Sequence, residues 1–173
     1  MFKVGETVIY GSQGVCKIAE ITQKDIGGTI RSYYCLKPLY QSNNTVFVPT
    51  DNKKLTDKMK RVLSADETKE LICAIPDEKT VWIEDDVERS KKYREILSSG
   101  DRYAIIRVIK TLYLKRSQQQ KCGRRLHRND EIILAEAENI LHGELASVLN
   151  IPPEQVIPFL TNEIEKQKRP TDS

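Results

Sequence analysis

The sequence has few histidines and no closely spaced cysteines, both of which are common in catalytic and metal sites. Its 173 residues include one tryptophan and two histidines, His127 and His142. The four cysteines, at positions 16, 35, 73 and 122, form no Cys-x-x-Cys pair of the kind that metal sites usually draw on. Glycine-rich phosphate loops are lacking too. We therefore expect no cofactor, no metal and no enzymatic activity.

Long apolar segments are also lacking. No run approaches the roughly 18–20 residues of a membrane span. The first ten residues show no basic start followed by an apolar stretch, so we expect no signal peptide. Because 39% of the residues are hydrophobic, the chain can bury a core. We expect a soluble, cytoplasmic protein without membrane contact.

Neither sign of charge dominates the sequence. It has 28 Lys and Arg residues and 25 Asp and Glu residues, which gives a net charge of +3. The charge nevertheless alternates along the chain. Residues 1–60 carry +4, residues 61–100 carry −3, residues 101–130 carry +7 and residues 131–173 carry −5. The +7 segment is either an anion-binding surface or a solvated helix face that the neighbouring acidic segments neutralise.

The first 60 residues have the pattern of a small β domain. Short β-rich runs at 4–10, 15–21, 30–39 and 45–49 alternate with turn signals. Such spacing predicts a small barrel or a strongly bent sheet. A barrel of this size is marginal alone, so we expect it to dock against the rest of the chain.

Helical periodicity begins near residue 62. Ser64 and Glu67 fit a capping box, Asp85 and Asp101 fit helix starts, and Pro153 suits the first turn of a last helix. A further helix is predicted to start at Asn129 or Asp130. The fold class predicted is α+β in two parts, with domains at 1–60 and 61–165 and a frayed tail at 166–173.

Several short motifs occur in a specific order along the chain. They are Phe2–Tyr10 with Gly14, Tyr33–Lys37, Val46–Pro49, Leu97–Asp101, Val108–Leu112, Leu126–Leu141 and Gly143–Ala146. Single pieces are short, but the ordered set resembles the CarD/CdnL family of bacterial transcription regulators over roughly residues 1–148.

The resemblance implies a fold and a function for each half. The N-terminal half would be a Tudor- or SH3-like barrel that docks on the RNA polymerase β subunit, as in the transcription-repair coupling factor. The C-terminal half would be a helical domain that contacts promoter DNA near the upstream edge of the melting bubble. Family members stabilise or modulate the open promoter complex and are not enzymes. We expect a monomer associated with the nucleoid through polymerase.

The resemblance also implies DNA-contacting residues. A family tryptophan wedges into the DNA minor groove, and Trp82 is the one tryptophan of this chain. The alternative is that Trp82 covers the helical core. Phosphate contacts would come from a set of cations, each of which could instead be solvated surface. The set is Arg89, Lys91, Lys92, Arg124, Arg125 and Arg128.

Two arginine positions that the family uses against the β subunit align with Lys24 and Phe47. Lys24 keeps the charge without the guanidinium fork, and Phe47 loses the charge. Phe47 is either an exposed interface anchor or a residue inside the barrel. Arg31 is a further candidate for the same polymerase contact.

Two other functions are compatible with parts of the sequence. Residues 144–156 resemble a helix-turn-helix, but the second helix carries Pro158, Glu163 and Glu165, which suit a groove-reading helix poorly. The chain could also be a protein-interaction module that docks on polymerase without touching DNA.

Overall fold

The computed structural model describes residues 1–40 and 43–168, a sheet followed by helices. The strands are β1 (Thr7–Tyr10), β2 (Val15–Ile26), β3 (Thr29–Pro38), β4 (Val46–Pro49) and β5 (Met59–Arg61). They pair antiparallel in the order β4-β3-β2-β1-β5. The four predicted strands are confirmed. The three-residue β5 is too short to show alternation in the sequence, and it was not predicted.

The sheet is not closed into the predicted barrel. Within the residues described, β4 and β5 are its two edges, and neither pairs with the other. The edge strands have only four and three residues, so few backbone groups are left unpaired there. The two-part α+β prediction itself is confirmed.

The helices follow the sheet, apart from one short turn that precedes β5. They are α1 (Lys53–Thr56), α2 (Ala65–Ala74), α3 (Asp86–Ser99), α4 (Arg102–Lys121), α5 (Arg128–Leu149) and α6 (Val156–Lys168). Helix α6 thus includes the first three residues of the predicted frayed tail, and the tail's residues 169–173 lie outside the described residues.

Local capping signals set several helix ends. Ser64 and Glu67 form the predicted capping box of α2, and the side chains of Asp85 and Asp101 accept the first-turn N–H bonds of α3 and α4. The prediction for α5 is wrong by one or two residues, because its N-cap is His127. The Asp130 side chain is instead turned inward to an ion pair with Arg89.

The sheet contributes to two cores, one on each face. Val8, Ile18 and Leu36 belong to a cluster within the sheet domain. Ile9 and Val15 point to the other face and join the cluster formed by the helices. Because successive strand residues point to opposite faces, the same strands hold both cores, and the expected docking of the sheet against the helices is present.

Close backbone approach and a buried ion pair fasten this junction. Gly14 has a φ of +69°, and a methyl group on it would lie 3.7 Å from the Cα of Ile140 in α5. The buried Glu144 carboxylate of α5 accepts hydrogen bonds from Arg102 of α4 and from the Leu63 backbone N–H. One carboxylate thus joins α4 and α5 to the segment between β5 and α2.

Candidate functional site

Lys24, Arg31 and Phe47 lie on one face of the sheet. In β3 and β4, Tyr34 and Val48 face the sheet core, so Arg31 and Phe47 face outward. A bulge between Ile18 and Glu20 shifts the register of β2 and places Lys24 directly opposite Arg31. The outer sheet patch, as we call these three residues, therefore draws on β2, β3 and β4.

Contacts within the outer sheet patch join a cation to an aromatic ring. The Lys24 Nζ lies 3.3 Å from the centroid of the Phe47 ring, and Phe47 is 40% exposed. Phe47 is therefore outside the sheet core, which decides between the two positions that the sequence left open. Arg31 is exposed and lies 3.8 Å from an Asp51 carboxylate oxygen.

Trp82 lies in the loop before α3, half-buried against the helical core. The neighbouring residue Val81 anchors this loop, because its N–H donates to the Thr111 hydroxyl and its carbonyl accepts from the Tyr93 hydroxyl. Burial raises the pKa of Tyr93 to about 12, so its hydroxyl remains a donor at neutral pH.

Two cations flank the indole of Trp82. The Arg89 Cζ lies 4.3 Å and the Lys115 Nζ 4.4 Å from the ring centroid. The indole Nε1 is buried, and it has no hydrogen-bond partner among the residues described. Any exposed part of the indole is therefore carbon, an apolar edge beside positive charge.

Arg89 is buried, and all of its N–H donors are used inside the protein. Its guanidinium pairs with both carboxylate oxygens of Asp130, with Asp86 and with the carbonyls of Ile83 and Glu84. With 2% exposure it has no donor left for a phosphate, so the sequence-based prediction of a phosphate contact is corrected. The hydrogen bond from Arg89 lowers the pKa of Asp86.

The other five cations predicted to contact DNA are exposed. Lys91 and Lys92 lie on α3, and Arg124, Arg125 and Arg128 lie in the loop before α5 and at its first residue. Within the described part of the chain, these five side chains have no ion-pair partner. They are available to an external anion.

Part of the +7 segment is neutralised inside the protein. Arg102 pairs with the buried Glu144, and Arg107 pairs with Glu78. The Lys110 ammonium donates to the carbonyls of Ile75, Pro76 and Glu78 after α2. Neutralisation therefore applies to Arg102 and Arg107, while the exposed Arg124, Arg125 and Arg128 remain candidates for an anion-binding surface.

A groove of about 610 Å³ adds cations that the sequence analysis missed. Lys58 and Lys60 of the sheet domain line it together with Lys91 and Arg94 of α3. Two acidic residues, Asp57 and Glu95, lie in the same groove. The groove therefore carries charges of both signs, with an excess of basic residues. Lys58 and Lys60 were missed because they lie in the segment assigned to polymerase docking, although residues 53–61 are rich in lysine.

The exposed cations follow the length of α3. At its first turn, Arg89 pairs with Asp130, which places the start of α5 and Arg128 nearby. At its C-terminal end, the Lys60 side chain lies against Gly100, where a methyl group would approach it to 3.3 Å. A helix of 14 residues spans about 21 Å, the length of roughly six base pairs.

Among the described residues, neither a metal site nor a membrane-spanning helix is evident. The structure of residues 1–40 and 43–168 contains no group of His, Cys, Asp and Glu that could hold a metal ion. No helix in the described ranges is long and apolar enough to cross a membrane. The candidate site consists of two surfaces, one aromatic and cationic on the sheet and one cationic around Trp82.

Comparison with family models identifies both parts of the chain. Residues 2–63 match the CarD-like/TRCF RID domain, and residues 70–161 match the CarD C-terminal domain. The two matches define a transcription-related protein that interacts with RNA polymerase. The chain belongs to the CarD family, a family of transcription factors that are not enzymes. The predicted family is confirmed.

Proposed function

We propose that this protein binds the β subunit of RNA polymerase through the outer sheet patch and promoter DNA through the surface around Trp82. It contacts DNA near the upstream edge of the melting bubble and changes the lifetime of the open complex, largely independently of sequence. It acts as a monomer in the cytoplasm, brought to promoters by polymerase.

The composition of the outer sheet patch supports the polymerase contact. By the sequence resemblance, Lys24 and Phe47 align with two positions that the family uses against the β subunit. Their 3.3 Å contact makes them one unit. An exposed aromatic ring beside a cation is a common anchor of protein interfaces. Arg31 adds a second cation on the same face.

The observation that carries the DNA contact is the apolar edge of Trp82 between cations. An apolar side chain inserted at a base step holds DNA distorted, at an unstacking cost of a few kcal/mol. Exposed cations nearby offset part of that cost through phosphate contacts. We assign phosphate contacts to Lys91, Lys92, Arg124, Arg125 and Arg128, and we extend the DNA path to the groove formed by Lys58, Lys60 and Arg94.

Open-complex lifetime tests the DNA contact. With cognate polymerase on a ribosomal RNA promoter, we expect the protein to change this lifetime and Trp82→Ala to abolish most of the change. Tyr103→Ala, which also removes a partly exposed aromatic ring from the helical part, serves as the control. A folded Trp82→Ala variant with full effect on the lifetime would exclude the wedge.

Binding to the isolated β subunit tests the polymerase contact. We expect Lys24→Glu to weaken binding at least tenfold, because it removes the contact with Phe47 and reverses the charge. Lys17→Glu makes the same change in β2 at a position seven residues, about 23 Å, away. Equal losses for the two variants would contradict a local contact.

Footprinting separates this proposal from a protein-interaction module that does not touch DNA. In the polymerase-promoter complex, the wild-type protein should protect DNA upstream of the bubble. Polymerase binding without any change in the footprint would favour the alternative.

A further inference from the structure

We propose that the Arg89–Asp130 ion pair is the positioning device for Trp82, holding the indole ready before DNA arrives. The inference rests on the proposed function, in which Trp82 inserts into DNA. Arg89 itself touches no DNA in this proposal. It acts through the ring on which it stacks.

The first argument is that Arg89 is fixed. Its five N–H groups are all engaged, two of them in a fork on Asp130 with distances of 2.9 and 2.7 Å. A guanidinium held in this way is a rigid plane. Because its Cζ lies 4.3 Å from the Trp82 ring centroid, the plane limits how the indole can turn.

The second argument is that two elements from distant parts of the sequence jointly hold this plane. Arg89 and Asp130 are 41 residues apart, on α3 and α5. Arg89 also donates hydrogen bonds to the carbonyls of Ile83 and Glu84, which directly follow Trp82 in the chain. The guanidinium therefore fixes the loop of Trp82 as well as its ring.

The third argument is the unpartnered Trp82 Nε1. Buried polar groups in native proteins are nearly always hydrogen-bonded, and an exception calls for an explanation. Among the described residues the Trp82 Nε1 has no such partner. A ring held in this orientation by Arg89 for contact with a partner explains the exception.

Lys115 differs from Arg89 in a way that suits a second role. Its ammonium lies 4.4 Å from the ring centroid, and within the ranges described it has no ion-pair or hydrogen-bond partner. A lysine bound to the ring alone can transfer to a phosphate when DNA approaches. Arg89 thus holds the indole in place, while Lys115 can leave the ring and bind a DNA phosphate.

The intrinsic fluorescence of Trp82 tests the positioning directly, because the chain contains no other tryptophan. Arg89→Lys keeps the charge and removes the fork. We expect at least a twofold increase in the acrylamide quenching constant of Trp82, with an unchanged far-ultraviolet circular dichroism spectrum. A quenching constant equal to that of the wild type would overturn the proposal.

A milder variant covers the case in which Arg89→Lys fails to fold. Asp86→Asn removes one hydrogen bond to Arg89 from a side chain that is 64% exposed, and leaves Asp130 in place. We expect a smaller increase in quenching, about 1.5-fold. Asp66→Asn, the same change in the first turn of α2, is the matched control and should give no increase. Equal quenching in the two variants would contradict the proposal.

A double-mutant cycle on open-complex lifetime tests the functional part. Arg89→Lys should remove at least half of the protein's effect on the lifetime, and it should add nothing to Trp82→Ala. A measurable further loss in the Trp82→Ala background would mean that Arg89 acts independently of the ring, against the proposal. If Trp82→Ala itself has no effect on lifetime, the proposed wedge fails, while the quenching data still decide whether Arg89 positions Trp82.

Discussion

At the scale of single residues, burial changes what a charged or aromatic side chain can do. Arg89 and Lys91 are two positions apart on α3, yet one is saturated inside the protein and the other faces solvent. Trp82 differs from Arg89, because it is half-buried and its Nε1 has no hydrogen-bond partner among the described residues. Residue type alone would assign the same role to Arg89 and Lys91.

Replacing Trp82 by phenylalanine should separate the contribution of Trp82 to protein stability from its contribution to function. An orphaned buried donor costs about 1–3 kcal/mol, so removing it offsets the smaller ring of phenylalanine. We expect Trp82→Phe to unfold in urea with a free energy equal to that of the wild type or up to about 1 kcal/mol higher. Trp82→Ala should lose about 2–3 kcal/mol. A loss of that size for Trp82→Phe would mean that Nε1 has a partner in solution.

At the scale of elements, buried ion pairs connect helices that the sequence keeps far apart. Glu144 of α5 is 1% exposed and binds Arg102 of α4, while Asp130 at the start of α5 binds Arg89 of α3. Each pair is surrounded by further hydrogen bonds, which compensate the cost of removing charges from water. Helix α5 is thereby fixed near both of its ends.

Glu144→Gln should be strongly destabilising. The amide keeps one acceptor oxygen but turns an N–H₂ group toward Arg102, and the guanidinium is left without its carboxylate. We expect a loss of about 3 kcal/mol in the free energy of unfolding, measured in urea. Glu136→Gln removes the exposed partner of Arg94 and should cost less than about 1 kcal/mol. Similar costs for the two variants would contradict the importance of burial.

How far the sequence predicts this structure depends on the separation of the interacting residues. The capping box of Ser64 and Glu67 acts over three residues, so it was predicted correctly. The partnership of Arg89 and Asp130 acts over 41 residues and depends on how α3 and α5 pack, which no local pattern shows. The bulge near Ala19 likewise depends on the pairing of β2 with β3. The cations left free for a partner could therefore not be sorted from the buried ones before the fold was known.

At the scale of the whole molecule, the small net charge of +3 does not show that the exposed cations lie on two separate surfaces. The outer sheet patch carries an aromatic ring with two cations, while the free cations of the helical part follow α3. Internal pairing removes Arg89, Arg102 and Arg107 from the external charge. The remaining cations should determine how DNA binding responds to salt.

The salt dependence of duplex binding should show how many of these cations contact phosphates. Each lost phosphate contact reduces the slope of log K against log salt concentration by about 0.9. We expect this reduction for Arg125→Gln and for Lys91→Gln, and a smaller one for Lys60→Gln in the groove. Arg107→Gln, which removes a cation already paired with Glu78, should leave the slope unchanged. A uniform response of all four variants would indicate an effect of net charge without defined contacts.

The core shared by Ile9 and Val15 with the helices makes the protein a spacer of fixed length. The outer sheet patch and Trp82 lie on parts that cannot swing independently, because the strands that support one also pack against the helices that support the other. In the proposed complex, the protein would thus set the distance from polymerase to the melting edge. Shifting the bubble by one base pair relative to polymerase would then move the base step away from the indole, so a protein acting in this way would measure position on DNA without reading a sequence.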